Sequence, residues 1–122
     1  MLRGVPARHP RYDGCVNNAT DATFRTKVLE RSATVPVIVD LWAAWCGPCR
    51  VLTPVLEKVI AQSEGSVELV AVDVDKNPRT AQAFGVQSIP SVFAFRDGQV
   101  VDSFVGARSE RAVRKFVANL GR

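Results

Sequence analysis

Residues 35–60 read VPVIVDLWAAWCGPCRVLTPVLEKVI. From Val35 to Ala44 the run is apolar and β-branched, interrupted by Asp40. A run without polar alternation predicts a central strand covered on both faces. A helix is predicted next, from Cys46 or Gly47 to Ser63, with Val51, Leu52, Val55, Leu56, Val59 and Ile60 at helical spacing. Pro48 at its start costs no hydrogen bond. Pro54 removes one donor and predicts a kink rather than an end, because the apolar pattern resumes in phase beyond it. The strand therefore passes into the helix through WCGPC.

The same reading extends outward in both directions. Upstream, a helix is predicted from about Ala22, with Thr20 or Asp21 as N-cap and Phe24, Val28 and Leu29 sharing a face. Downstream, SVELVAVDVD (66–75) predicts a second apolar strand. NPRTAQAFGV predicts a short helix, with Pro78 in its first turn and Gly85 past its end. Asp97-Gly98 joins two apolar runs in SIPSVFAFRDGQVVDSFVGA, a strong hairpin signal. The last helix has Ser109 as N-cap, Ala112, Val113, Phe116, Val117 and Leu120 as its stripe, and Gly121 as terminator. The predicted order is α, β, α, β, α, β, β, α. It implies an α/β fold in which a βαβ unit and a late antiparallel hairpin build one mixed central sheet, flanked by helices on both faces.

The chain has 122 residues, 47% hydrophobic and 23% charged, enough for one packed domain. Its formal charge is +4, and Arg3, Arg8 and Arg11 precede the first acidic residue, Asp13. The basicity is thus largely a property of the N-terminus, read as a flexible extension over residues 1–16, with the domain over 17–122. A basic stripe interleaved with aromatics, as a nucleic-acid surface requires, is missing. No apolar run has the length of a membrane span, and the Arg-rich start lacks the apolar centre of a secretory signal. The expectation is a cytoplasmic protein that binds neither membrane nor nucleic acid.

The cysteines are Cys15, Cys46 and Cys49. The Cys46/Cys49 pair could hold a metal, form a static staple, or cycle between thiol and disulfide. Structural zinc wants four ligands, and only Cys15 and His9 remain as further soft donors. A bridge across so short a loop constrains the unfolded chain little, and an odd cysteine count argues against a disulfide scaffold. Redox cycling fits the local pattern. At the start of a helix, Cys46 would face unpaired N–H groups and the positive end of the dipole, which favour thiolate. A thiol at its ordinary pKa of about 8.5 is only a few per cent ionised at neutral pH, while one at about 7 is about half ionised, which raises the nucleophilic fraction more than tenfold. Asp40, a lone carboxylate in an apolar strand, should have a raised pKa. It could be a hydrogen-bonded core group or a proton acceptor for Cys49.

VDLWAAWCGPCR, VDVDKNPRTAQAFGVQSIPSVFAFRDGQVV with its Ile-Pro pair, and FVGA resemble the thioredoxin family, in that family's order and spacing and over about residues 20–120. The resemblance implies the thioredoxin fold and a protein-disulfide reductase. It makes Cys46 the exposed nucleophile, Cys49 the buried resolving thiol and Asp40 the carboxylate beneath them. It makes Pro90 a cis-proline that exposes the backbone of Ile89, and it gives Trp45, Gly47, Pro48, Ile89, Pro90 and Gly106 to the substrate-facing surface. It implies no bound cofactor and no metal. Reducing equivalents would come from NADPH through a partner thioredoxin reductase, clients would be disulfide-containing proteins, and the chain would act as a monomer. The Gly-Pro spacer is associated in this family with reductants rather than oxidants. A pure binding module, or an oxidant or isomerase outside the cytoplasm, are the rival readings.

Two departures stand out. Family members often carry a lysine near the buried carboxylate, two residues before an acidic position on the next strand; here that place is Ala71. RYDGCVNNAT faintly resembles the junction in thioredoxins with an N-terminal zinc segment, yet the two CxxC pairs of such a segment are absent. Cys15 is read as a spare thiol.

Overall fold

The computed structural model describes residues 16–120. The N-terminal extension, Cys15 and Gly121 lie outside them. Five strands form one sheet: β1 (Val16–Asn18), β2 (Val37–Trp42), β3 (Glu68–Asp73), β4 (Ser91–Arg96) and β5 (Gln99–Val105). Three α-helices accompany them: α1 (Gly47–Gln62), α2 (Pro78–Ala83) and α3 (Glu110–Leu120). The sheet order is β1-β3-β2-β4-β5, so β2 is the middle strand. β1 and β2 pair with β3 in parallel, while β4 runs antiparallel to both β2 and β5.

β2 is the middle strand because neither of its faces can meet water. Val37, Val39 and Leu41 point into one apolar layer, with Val28, Val70, Val72 and Phe95. Ile38 points into the other, with Leu52, Leu56, Ile60, Val92, Val113 and Phe116. The second layer belongs to α1 and α3. Leu52 and Leu56 are fully buried there, and replacing either by alanine would cost about 2–5 kcal/mol. The first layer lies under α2 and the N-terminal helical segment, where Phe24, Phe84, Phe93 and Phe95 pack edge-on or stacked.

Several sequence expectations change. Val16–Asn18, which lies outside every predicted element, extends the parallel half of the sheet along β3. The first helix is not α-helical over most of its length: Arg25–Glu30 is π-helical and Arg31–Ala33 is a 3-10 turn. The i→i+5 geometry of a π turn suits this stretch, since Phe24 and Leu29 stand five apart and both pack on the same core. Helix α1 runs through Pro54 without a break, but Val51 is 62% exposed and Ala112 of α3 also faces solvent. The buried face of α1 is Cys49, Leu52, Thr53, Leu56, Val59 and Ile60. Asp97 and Gly98 both have positive φ, the geometry of a tight two-residue hairpin turn. Ser109 Oγ accepts from the Ala112 N–H at the start of α3.

Candidate active site

Helix α1 starts on a sulfur atom. Cys46 is extended (φ −87°, ψ 109°) and occupies the N-cap, and its Sγ accepts from the Cys49 N–H at 3.2 Å. The remaining first-turn amides have no intrahelical partners, and the helix dipole adds positive potential at the same point. Cys46 and Cys49 are joined as a disulfide, with Cα atoms 5.3 Å apart. Gly47 and Pro48 are exposed on the rim above the pair. A Cβ added at Gly47 would meet nothing within 4 Å, so this glycine keeps the rim low rather than relieving a clash.

In this disulfide form Cys46 is only 3% exposed and Cys49 2%. The expectation of an exposed Cys46 is therefore corrected. Both cysteines and Ala43 form a small buried cluster, with Trp42, Val74 and Ile89 packed against it.

One turn along α1 from Cys49, Thr53 meets Asp40 of β2, which is 1% exposed. Thr53 Oγ1 donates to its Oδ2 at 3.1 Å, and Oδ1 has no hydrogen-bond partner among the described residues. Burial pushes the carboxyl up to about 7, and the Thr53 hydrogen bond works in the opposite direction. In the sheet, Asp40 stands beside Ala71 of β3 and Val92 of β4. Ala71, the departure noted in the sequence, is thus Asp40's direct parallel neighbour, and its methyl is buried there.

The other predicted residues converge from distant stretches. The Ile89–Pro90 bond is cis, with Pro90 buried and Ile89 half-buried. Gly106 donates its N–H to the Pro90 carbonyl at 2.8 Å and holds φ at +86°, a conformation that favours glycine. Trp45 is 69% exposed, and its indole N–H donates to Asp75 Oδ2 at 2.8 Å. Arg50 fastens the loop from below by donating to the Ala44 carbonyl at 2.9 Å. Trp45, Val74, Val86, Gln87, Ser88 and Ile89 line a surface cleft of about 430 Å³. A somewhat larger cavity, about 520 Å³, lies under the N-terminal helical segment and α2 and is lined by no cysteine.

Sequence reasoning missed Thr53 and Asp75. The signal for Thr53 was present: a hydroxyl four residues after Cys49, inside the apolar stripe of a helix. Asp75 is an exposed carboxylate in a turn, where nothing in the local pattern marks it. Among the described residues no group of three His, Cys, Asp or Glu could hold a metal ion, and no helix is long and apolar enough to cross a membrane.

A cysteine pair closed as a disulfide at a helix start, with a buried carboxylate bonded one turn along that helix and a cleft alongside, is the working arrangement of a thiol–disulfide oxidoreductase. The thioredoxin family model matches residues 15–119. "Thioredoxin 1" of Synechococcus elongatus is 50% identical over 88 residues, which are 72% of this chain and 80% of that protein. A thioredoxin of Mycobacterium bovis is 44% identical over 83% of this chain and 85% of its own length. One of Rickettsia typhi is 36% identical over 84% and 95%. The chain belongs to the thioredoxin family.

Proposed function

We propose that the chain is a general reductant of protein disulfides and that Cys46, Cys49 and Asp40 carry the reaction. A client approaches in extended form along Ile89, over Trp45, Gly47 and Pro48, with Pro90 and Gly106 framing the backbone it meets. The Cys46 thiolate attacks one client sulfur. The Cys46–client bond forms, the client disulfide breaks, and its other sulfur leaves as thiolate. Cys49 then gives its proton to Asp40, directly or through a water, and attacks the Cys46 sulfur. The Cys46–Cys49 bond forms, the mixed disulfide breaks, and the client leaves carrying both electrons. A flavin-containing reductase that draws on NADPH reverses the exchange and restores the dithiol. No group needs to be bound within this chain for any step. We place the protein in the cytoplasm as a monomer, a reading supported by the odd cysteine count and the Gly-Pro spacer.

The observation that supports this reading is the Cys46 sulfur at the N-cap of α1, with the buried Asp40 carboxyl hydrogen-bonded to Thr53, one turn along the same helix from Cys49. Replacing Cys49 by serine should trap client proteins as mixed disulfides on Cys46. The wild type, supplied with NADPH and a thioredoxin reductase, should reduce insulin. A variant that traps nothing, together with a wild type that leaves insulin intact, would refute the assignment. A reduction potential far above the cytosolic poise would instead identify an oxidant or isomerase.

A further inference from the structure

We infer that Thr53 is a positioning residue of this site: its hydroxyl holds the Asp40 carboxylate by Oδ2 and leaves Oδ1 free to take the Cys49 proton. The inference rests on the reading above, in which Asp40 is that acceptor. Three observations carry it. Thr53 is a hydroxyl among the buried positions of α1, 3% exposed near Leu52 and Leu56 on the sheet-facing side, and its Oγ1 lies 3.1 Å from Asp40 Oδ2. The other carboxylate oxygen is buried without a partner among the described residues. The strand position that could offer a cation is Ala71, directly beside Asp40.

The surroundings leave Thr53 as the principal support. β3 presents Ala71 and β4 presents Val92. Ile38 and Trp42 flank Asp40 on its own strand. α3 contributes Val113, Phe116, Val117 and Leu120, none of them titratable. α1 contributes Cys49, Thr53 and, one further turn along, the half-buried Glu57. An oxygen acceptor in so dry a site is expensive to leave unpaired. A hydroxyl that donates to it favours the ionised form, the form able to accept a proton. Cys49 and Thr53 are also four residues apart, which puts sulfur and hydroxyl on one face of one helix. The helix that bears the resolving thiol therefore also aims its base.

Thr53→Val keeps the shape and removes the donor. Loss of a hydrogen bond that favours the ionised form should raise the Asp40 titration midpoint by about one pH unit. Asp40 would then be ionised in about a tenth rather than half of the molecules at pH 7. Single-turnover oxidation of the reduced protein by insulin, followed by tryptophan fluorescence from pH 5.5 to 9.5, should slow roughly fivefold at pH 7 and rejoin wild type at high pH. Thr53→Ser, which restores the donor, should recover the wild-type profile, and Thr53→Val added to Asp40→Asn should change nothing further. If Asp40→Asn loses the pH-dependent arm but Thr53→Val does not shift it, the positioning role is wrong and the proton-acceptor reading stands. If Asp40→Asn itself keeps the wild-type profile, both fall. A uniform slowing of Thr53→Val at every pH, persisting in the Asp40→Asn background, would show a packing defect and overturn the proposal; if Thr53→Val unfolds, a Thr53→Ser profile displaced from wild type does the same.

Discussion

Asp21 and Asp40 are handled in opposite ways by the same fold. Asp21, ahead of the N-terminal helical segment, accepts from the Thr80 hydroxyl at 2.7 Å, the Thr80 N–H at 2.8 Å and the Arg79 N–H at 3.2 Å. Led by the Thr80 side chain, these bonds hold its carboxyl below the usual range. It also ties the helical segment to the first turn of α2, so its contribution is to structure. Asp40 has one donor and one orphaned oxygen, and burial drives its carboxyl up to about 7. A satisfied carboxylate is a fastener. An unsatisfied one is held in a state the fold does not favour, and such groups gather at reactive sites.

The strongest way to break this contrast is Asp40→Asn. Activity and stability should move in opposite directions. Single-turnover insulin reduction at pH 7 should fall by roughly a hundredfold, the low end of what general-base assistance supplies. Stability should rise. Below the ordinary carboxylate value both folded and unfolded chains hold the proton. As pH climbs from there to about 7, the unfolded chain ionises first, and the wild type loses stability at about 1.4 kcal/mol per pH unit of the displacement. The variant escapes that loss, so urea unfolding should show a gain of a few kcal/mol at pH 8 that nearly vanishes at pH 4. A loss of stability at pH 8 that fades in acid would put Asp40 in the same class as Asp21.

Asp21→Ala should behave as the mirror image. Its lowered carboxyl contributes stability above the ordinary carboxylate range, and that contribution is lost as pH falls through the lowered value. The melting temperature should drop by several degrees at pH 7 and converge on wild type in strong acid, with insulin reduction unaffected at temperatures where the variant is folded. A variant with impaired turnover and intact stability would reverse the assignment. The smallest expected effect concerns a third carboxylate, Asp75, exposed and held by Trp45 alone among the hydrogen bonds described above. Trp45→Phe keeps the exposed ring and deletes the N–H donor. The KM for a protein client should rise roughly two- to fivefold with kcat unchanged, in line with one hydrogen bond of modest net worth. A fall in kcat instead would move Trp45 from client docking into the chemistry.

The central unit of the fold was legible because its signals agree. Continuous β-branched residues, a proline tolerated at the helix start and a heptad-like apolar stripe all point to strand-then-helix across Cys46. The hairpin at Asp97-Gly98 is written in two residues that accept positive φ. β1 was illegible because Val16–Asn18 is short and mostly asparagine, a poor strand former. The free edge of β3 makes it a strand. The π-helical turns were hidden because i, i+4, i+5 spacing suits an α-helix nearly as well. In the site, Cys46, Cys49 and Asp40 are conspicuous as residue types. Thr53 is not, because its partner is fixed by the sheet-to-helix packing and not by any nearby residue. Ala71 was noticed as a departure, but only the strand register shows that it touches the flank of Asp40.

The sulfur that caps the start of helix α1 is also the sulfur that changes oxidation state. Unfolding and reduction are therefore two sides of one thermodynamic square. Whatever stability the folded chain gains or loses when the pair is reduced must reappear, with equal size, as a difference between the disulfide's potential in the folded protein and in the unfolded chain. Two melting experiments, one on each redox form, would read that difference without an electrode.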